Sequence, residues 1–178
     1  MSLSLVQQVK RLPPINEYRV YGFKHLDNHF AALLTPEAWS FEWIEAWFPG
    51  TVWNPAGASI EFMGDWEGCK GRTAYPEVGG CYFSARLAVA EALRAEGRQA
   101  GVLILREIHG GYILPVGVWN VRESVRKMLR QPPQKYSNLK EAVEGLMSRL
   151  TIPLERWLRV SVTLRRLLHQ RRLSEGWL

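Results

Sequence analysis

Between Gly64 and Arg86 the sequence GDWEGCKGRTAYPEVGGCYFSAR sets Asp65, Glu67, Arg72, Tyr75, Glu77 and Arg86 among five glycines. Glycine allows unusual backbone angles and close approach of a ligand. Acids and arginines in company hold phosphate through the guanidinium or a divalent cation through the carboxylates. Arg86 is the most informative of them, because its segment, CYFSARLAVAEALRAEG, is apolar on nearly all sides. A lone buried guanidinium is very costly, so Arg86 requires a carboxylate or an anionic ligand, and Asp65, Glu67 and Glu77 are the local candidates. Arg106 and Glu107 close the apolar run AGVLILREI, where open α/β sheets hold their sites. Arg122 and Arg126, one turn apart on the next segment, are within reach of the same region. The cluster Asp65, Glu67, Glu77, Arg86, Arg106 and Glu107 has two readings. In one, the acids hold Mg2+ or Mn2+ and the arginines hold phosphate, as in a nucleic-acid phosphoester hydrolase. In the other, salt bridges fix the glycine loop against a sheet. The first requires the acids to converge within about 4–5 Å of one point.

Other chemistry has weaker support. Ser84 has no histidine beside it, and no nucleophile–base pair stands out, so whether the protein is an enzyme stays open. His25 and His29 are four apart, but on a strand–loop–strand segment that does not bring them to one helical face. Cys69 and Cys81 form no C-x-x-C motif, which points to free thiols rather than zinc, with Cys81 in the core. G-x-G-x-x-G and P-loop patterns are absent. Apart from the Mg2+ or Mn2+ of the hydrolase reading, no cofactor is expected.

The elements that must position these residues follow from periodicity. YRVYGF (18–23) and HFAALL (29–34) read as strands. Thr35 with Pro36 and Glu37 predicts a helix start, and Trp39, Trp43 and Trp47 at i, i+4, i+8 predict its apolar stripe, ended by Pro49–Gly50. Residues 58–64 predict a short strand, followed by the glycine loop and a helix to Gly97. AGVLILREI predicts a doubly buried strand, YILPV (112–116) a partner strand, and VWNVRESVRKMLRQ a helix with Val121, Val125, Met128 and Leu129 on one face. Asn138 three before Glu141 predicts a capped helix start. Residues 153–172 predict one long amphipathic helix, with Trp157, Val160, Leu164, Leu167 and Leu168 inward and Arg156, Arg159 and Arg166 near the other face. The expected fold is α/β, or α+β: one compact domain with a mixed central sheet flanked by helices and a helical, basic C-terminal extension. The divisions are an N-terminal extension (1–16), an α/β core (17–135), a helical subdomain (136–169) and a tail (170–178).

The charge is uneven. Residues 1–121 carry 10 basic and 12 acidic groups and residues 122–178 carry 13 and 5, so the net +6 of the chain resides in its last third. That excess points to a polyanion near Arg122, Arg126, Arg156, Arg159 and Arg166, or to an arginine-rich solvated face. No apolar run is long enough to span a membrane and the N-terminus lacks a leader's apolar core, so a cytoplasmic protein is expected.

The stretches GDWEG…GRTAYPEVGGCYFSARLAV and LREIHGGYILPVGVWNVRESVRKML, with NHFAALLTPEAWSFEWIEAWFPGTVWNP before them, resemble the C-terminal region of the archaeal Nre DNA repair family. The resemblance covers residues 17–178 and implies a role in DNA damage repair, without the further N-terminal region that family members usually have. It also implies a C-terminal peptide that binds the sliding clamp, PCNA. Such peptides follow Q-x-x-(Leu/Ile/Met)-x-x-aromatic-aromatic, and QRRLSEGWL supplies Gln170 and Leu173, with Trp177 and Leu178 one place late. An adaptor tethered to the clamp is the first expectation, with the hydrolase and a non-catalytic DNA binder as alternatives.

Overall fold

The computed structural model describes residues 2–112 and 117–174, without the side chains of Ser2 and residues 170–174. The chain runs α1 (Ser2–Val9), β1 (Tyr18–His25), β2 (Asn28–Thr35), β3 (Ser40–Trp47), β4 (Glu61–Glu67), α2 (Gly80–Glu96), β5 (Gly101–Ile108), α3 (Gly117–Leu129), β6 (Gln134–Tyr136), α4 (Leu139–Met147), α5 (Leu154–Val160) and α6 (Val162–Ser174). The strands form a mixed sheet in the order β4-β3-β5-β2-β1-β6, in which β3 and β5 are parallel and the other neighbours antiparallel.

Successive side chains on a strand point to opposite faces, and this alternation sorts the core. Phe30, Ala32, Phe41, Trp43, Val102 and Ile104 pack with α1, α2 and α3 on one face. Ala31, Leu33, Ile44, Leu103 and Leu105 pack with α4, α5 and α6 on the other. The result is a three-layer α/β fold whose central strand β5 is buried throughout, as a near-continuous apolar run with two covered faces requires. Residues 1–16, set apart above as an extension, contribute Val6, Val9 and Ile15 to the first core.

The structure corrects three expectations. The tryptophan segment is strand β3, not a helix. A spacing of four places residues on one helical face, but four is also a multiple of two, so Trp39, Trp43 and Trp47 share a strand face equally well. The intervening Phe41 and the aromatic and β-branched content favour the strand once both faces are covered. The β4 strand starts later and runs on past Gly64 to Glu67, so Asp65 and Glu67 belong to a strand rather than to the loop. The long helix at 153–172 is interrupted at Ser161, whose backbone is extended. The cause lies in β3: buried Glu42 accepts hydrogen bonds from Ser161 Oγ (2.8 Å), Val162 N (2.7 Å) and Thr163 N (2.9 Å), making it the acceptor for the free N–H groups that open α6. Of the expected apolar face, Trp157, Leu164 and Leu167 are buried and Val160 is exposed.

Other signals hold. Gly97 at φ 73° closes α2, and the Asn138 side chain accepts from Glu141 N at the start of α4. The expected strand at 112–116 lies, Tyr112 apart, outside the described residues. Among the described residues no helix is long and apolar enough to cross a membrane.

Candidate functional site

The acids and arginines singled out from the sequence form separate pairs. Arg86 Nη1 meets Glu67 Oε2 at 2.6 Å, with Arg86 3 % exposed and Glu67 1 %. The same carboxylate accepts from Trp39 Nε1 at 3.0 Å, and the guanidinium lies 5.2 Å from the Phe83 ring centroid. This is a closed knot between α2 and the sheet. Asp65 pairs with Arg72 at 2.6 Å and accepts from Val78 N at 3.1 Å, tying the middle and the far end of the glycine loop to β4. Arg106 and Glu107 are neighbours on β5, so alternation sends them to opposite faces. The four carboxylates Asp65, Glu67, Glu77 and Glu107 therefore do not converge as the hydrolase reading requires, and no three of them are among the groups close enough to share a cation in the described residues.

Arg106 is fully buried on the α2–α3 face. Its Nε donates to Asn28 Oδ1 at 2.7 Å and its Nη1 to Glu45 Oε1 at 2.8 Å. Nη2 is buried and makes no hydrogen bond among the described residues. Phe30, Trp47 and Tyr112 surround the guanidinium at 5.5, 5.7 and 5.3 Å from their ring centroids. Beside it opens a cavity of about 640 Å³, the size of a small-molecule site. Arg106, Glu45, Trp47 and Tyr112 line it, and Val52, Trp53, Met63, Val118 and Trp119 complete its apolar walls. Trp53 and Trp119 are 69 % and 61 % exposed, far beyond what packing explains for two indoles on one cavity. Cys81 also lines it, half-buried, with its thiol pushed up to about 12 by burial and by the negative charge of Glu45. A thiol in that state is not a nucleophile at neutral pH. Glu77 is the one member of the sequence cluster besides Arg106 that borders this cavity.

Glu107 lies on the opposite face, fully buried, and is held by the segment joining α4 to α5. Its Oε1 accepts from Thr151 N at 2.8 Å and Ile152 N at 2.7 Å, and Oε2 accepts from Thr151 Oγ1 at 2.8 Å. Two histidines stand beside it. His29 is its direct cross-strand partner on β2, with Nδ1 3.5 Å from Oε2; His109, two residues further on, has Nε2 3.3 Å from Oε2. The His29 ring is held toward its neutral form, first by burial and then by His109 and Lys24. The sequence reading weighed His29 only with His25 and missed His109. The legible signal was E-x-H at a strand end, which puts both side chains on one face.

The five arginines expected to hold a polyanion do not share a surface. Arg122 and Arg126 lie on α3, where Arg126 forms a two-pronged pair with Glu91 at 2.8 Å and also meets Glu123 at 2.8 Å. Arg156, Arg159 and Arg166 lie on α5 and α6, across the sheet. Arg166 is paired with Glu37, and Arg156 packs over the Phe62 ring. Arg159 is exposed. The helix backbone of α6 includes Gln170 and Leu173, but their side chains, with Trp177 and Leu178, lie outside the described residues.

Comparison with known proteins decides the family. Residues 67–175 match the C-terminal model of the archaeal Nre family. The chain belongs to the Nre family. Residues 1–54 match its N-terminal model, which overturns the expectation that the N-terminal region is missing. The two matches are not two folding units, because β5 from the second is inserted between β2 and β3 from the first. The chain is 39 % identical over 166 residues to the DNA repair protein NreB of Archaeoglobus fulgidus, covering 93 % of this chain and 42 % of that protein. It is 32 % identical to the DNA repair protein NreA of the same organism (83 % of this chain, 37 % of NreA). It is 37 % identical to NreA of Haloferax volcanii (83 % and 36 %). The Nre chain described here thus spans less than half the length of these relatives. No solved structure matches it at a significant level.

Proposed function

We propose that this Nre protein acts in DNA repair and that the Arg106 cavity binds an aromatic component of nucleic acid, a base or a nucleotide. The observation that carries this reading is the meeting of exposed Trp53 and Trp119 with a buried arginine that has a spare donor. Indole faces accept any base by stacking, and a guanidinium edge donates to a base carbonyl or a phosphate. The names of the relatives, all DNA repair proteins, agree with it. The test is titration with mononucleotides and short single strands, followed by tryptophan fluorescence and calorimetry. Trp53→Ala and Trp119→Ala remove exposed side chains and leave the fold intact. Stacking contributes about 1–3 kcal/mol per base, so each variant weakens binding by roughly 5- to 150-fold. Absence of saturable binding, or equal affinity in parent and variants, removes the reading.

Clamp tethering through Gln170, Leu173, Trp177 and Leu178 is a second, separable proposal supported by the sequence of the C-terminal peptide. It is measured by calorimetry with PCNA, where Trp177→Ala abolishes binding if the indole is the anchor.

A further inference from the structure

We infer that His29, Glu107 and His109 form a binding site for one Zn2+ ion, on the sheet face opposite the Arg106 cavity. Oε2 of Glu107 lies 3.5 Å from His29 Nδ1 and 3.3 Å from His109 Nε2, and the three ligand atoms lie within 4.8 Å of one another. Zinc bonds of about 2.0–2.1 Å in a tetrahedron give edges of about 3.3–3.4 Å between ligand atoms. The two edges at Glu107 therefore lie within about 0.2 Å of a tetrahedral site's. His29 Nδ1 is buried and makes no hydrogen bond among the described residues, so none has to be broken for it to ligate a metal.

The surroundings fix the ligands rather than merely gathering them. Thr151 and Ile152 hold the carboxylate by backbone and hydroxyl donors. The imidazole of His109 stacks on Phe48 at 4.2 Å, and its backbone N–H donates to Asp27 O at 2.9 Å in the turn between β1 and β2. That turn is made by Leu26 and Asp27 at φ 49° and 55°, the paired positive angles of a tight hairpin, which set Asp27 O against the His109 backbone. Support of this kind around metal ligands governs affinity. Two nitrogens and one carboxylate suit zinc, not magnesium. The His29 and His109 side chains are 19 % and 25 % exposed, so water reaches a fourth position, as it does at zinc sites with three protein ligands.

The test strips the full chain with chelator and measures zinc by equilibrium dialysis, with Co2+ absorption as a second readout. The expected result is one equivalent of zinc on the parent, visible d–d bands with Co2+, and no response to Mg2+. His109→Ala and His29→Gln each lower zinc affinity at least about tenfold, and circular dichroism shows both folded. Cys69→Ser, which removes an exposed thiol, leaves binding unchanged. Failure of the parent to bind, parent-level zinc affinity in either histidine variant, or loss of binding in Cys69→Ser overturns the site. Nucleotide binding at the Arg106 cavity is measured on the same variants and stays at the parent level, so the two proposals stand or fall separately.

Discussion

Replacing Arg86 by methionine isolates the physics of the knot between α2 and the sheet. The substitution keeps most of the side chain's volume and removes its charge. Glu67, 1 % exposed, then retains the Trp39 Nε1 bond but loses its 2.6 Å ion pair. Breaking a buried pair at one end costs about 3–5 kcal/mol, because the remaining charge stays desolvated. Loss of the guanidinium over Phe83 adds roughly 0.5–2 kcal/mol. The total, about 3.5–7 kcal/mol, is a large share of a stability of about 5–15 kcal/mol. With a urea slope near 2 kcal/mol/M, the unfolding midpoint falls by roughly 2–3.5 M. The double variant Arg86→Met, Glu67→Gln removes both charges and recovers part of the loss, giving a coupling on the order of 1–3 kcal/mol in a double-mutant cycle. A single-variant loss below about 1 kcal/mol, or strict additivity, would show that the pair is not what ties α2 to β4.

Two further outcomes follow from charge and burial. Glu37 is held below the usual carboxylate range, first by the Arg166 guanidinium, so the pair stabilises the fold above Glu37's unfolded pKa and that contribution is lost as pH falls through its lower folded value. Urea unfolding of Glu37→Gln between neutral and acid pH therefore shows a shallower acid loss than the parent; identical slopes refute the linkage. Iodoacetamide at mildly alkaline pH labels exposed Cys69 and spares Cys81 in the native protein, and labels both in urea, as counted by intact mass.

Local chemistry carried much of the fold into view. Gly97 ends α2 because only a residue tolerant of positive φ closes a helix that way, and Asn138 starts α4 because its side chain replaces a missing acceptor. The eight-residue β5 strand was legible from its unbroken apolar run. Glu67 is one of the three carboxylates near Arg86 in sequence, and the burial of Arg86 requires such a partner. The tryptophan segment misled because its spacing satisfies both periods. What separates strand from helix there is the neighbouring β5, whose sequence lies some sixty residues away.

The sequence by itself determined that buried Arg86 needs an acid or an anionic ligand, that the core is α/β, and that the basic charge gathers at the end of the chain. Only tertiary structure decided which acids answer. Register sets Glu45 beside Arg106, and alternation turns Glu107 to the other face toward two histidines. It also split the arginines across the sheet and interrupted the last helix at Ser161 through Glu42. The reason is range. Caps, turns and periodicity are settled within a few residues, whereas a buried charge is satisfied by whatever the assembled sheet brings within about 3 Å, and distance along the chain does not report that.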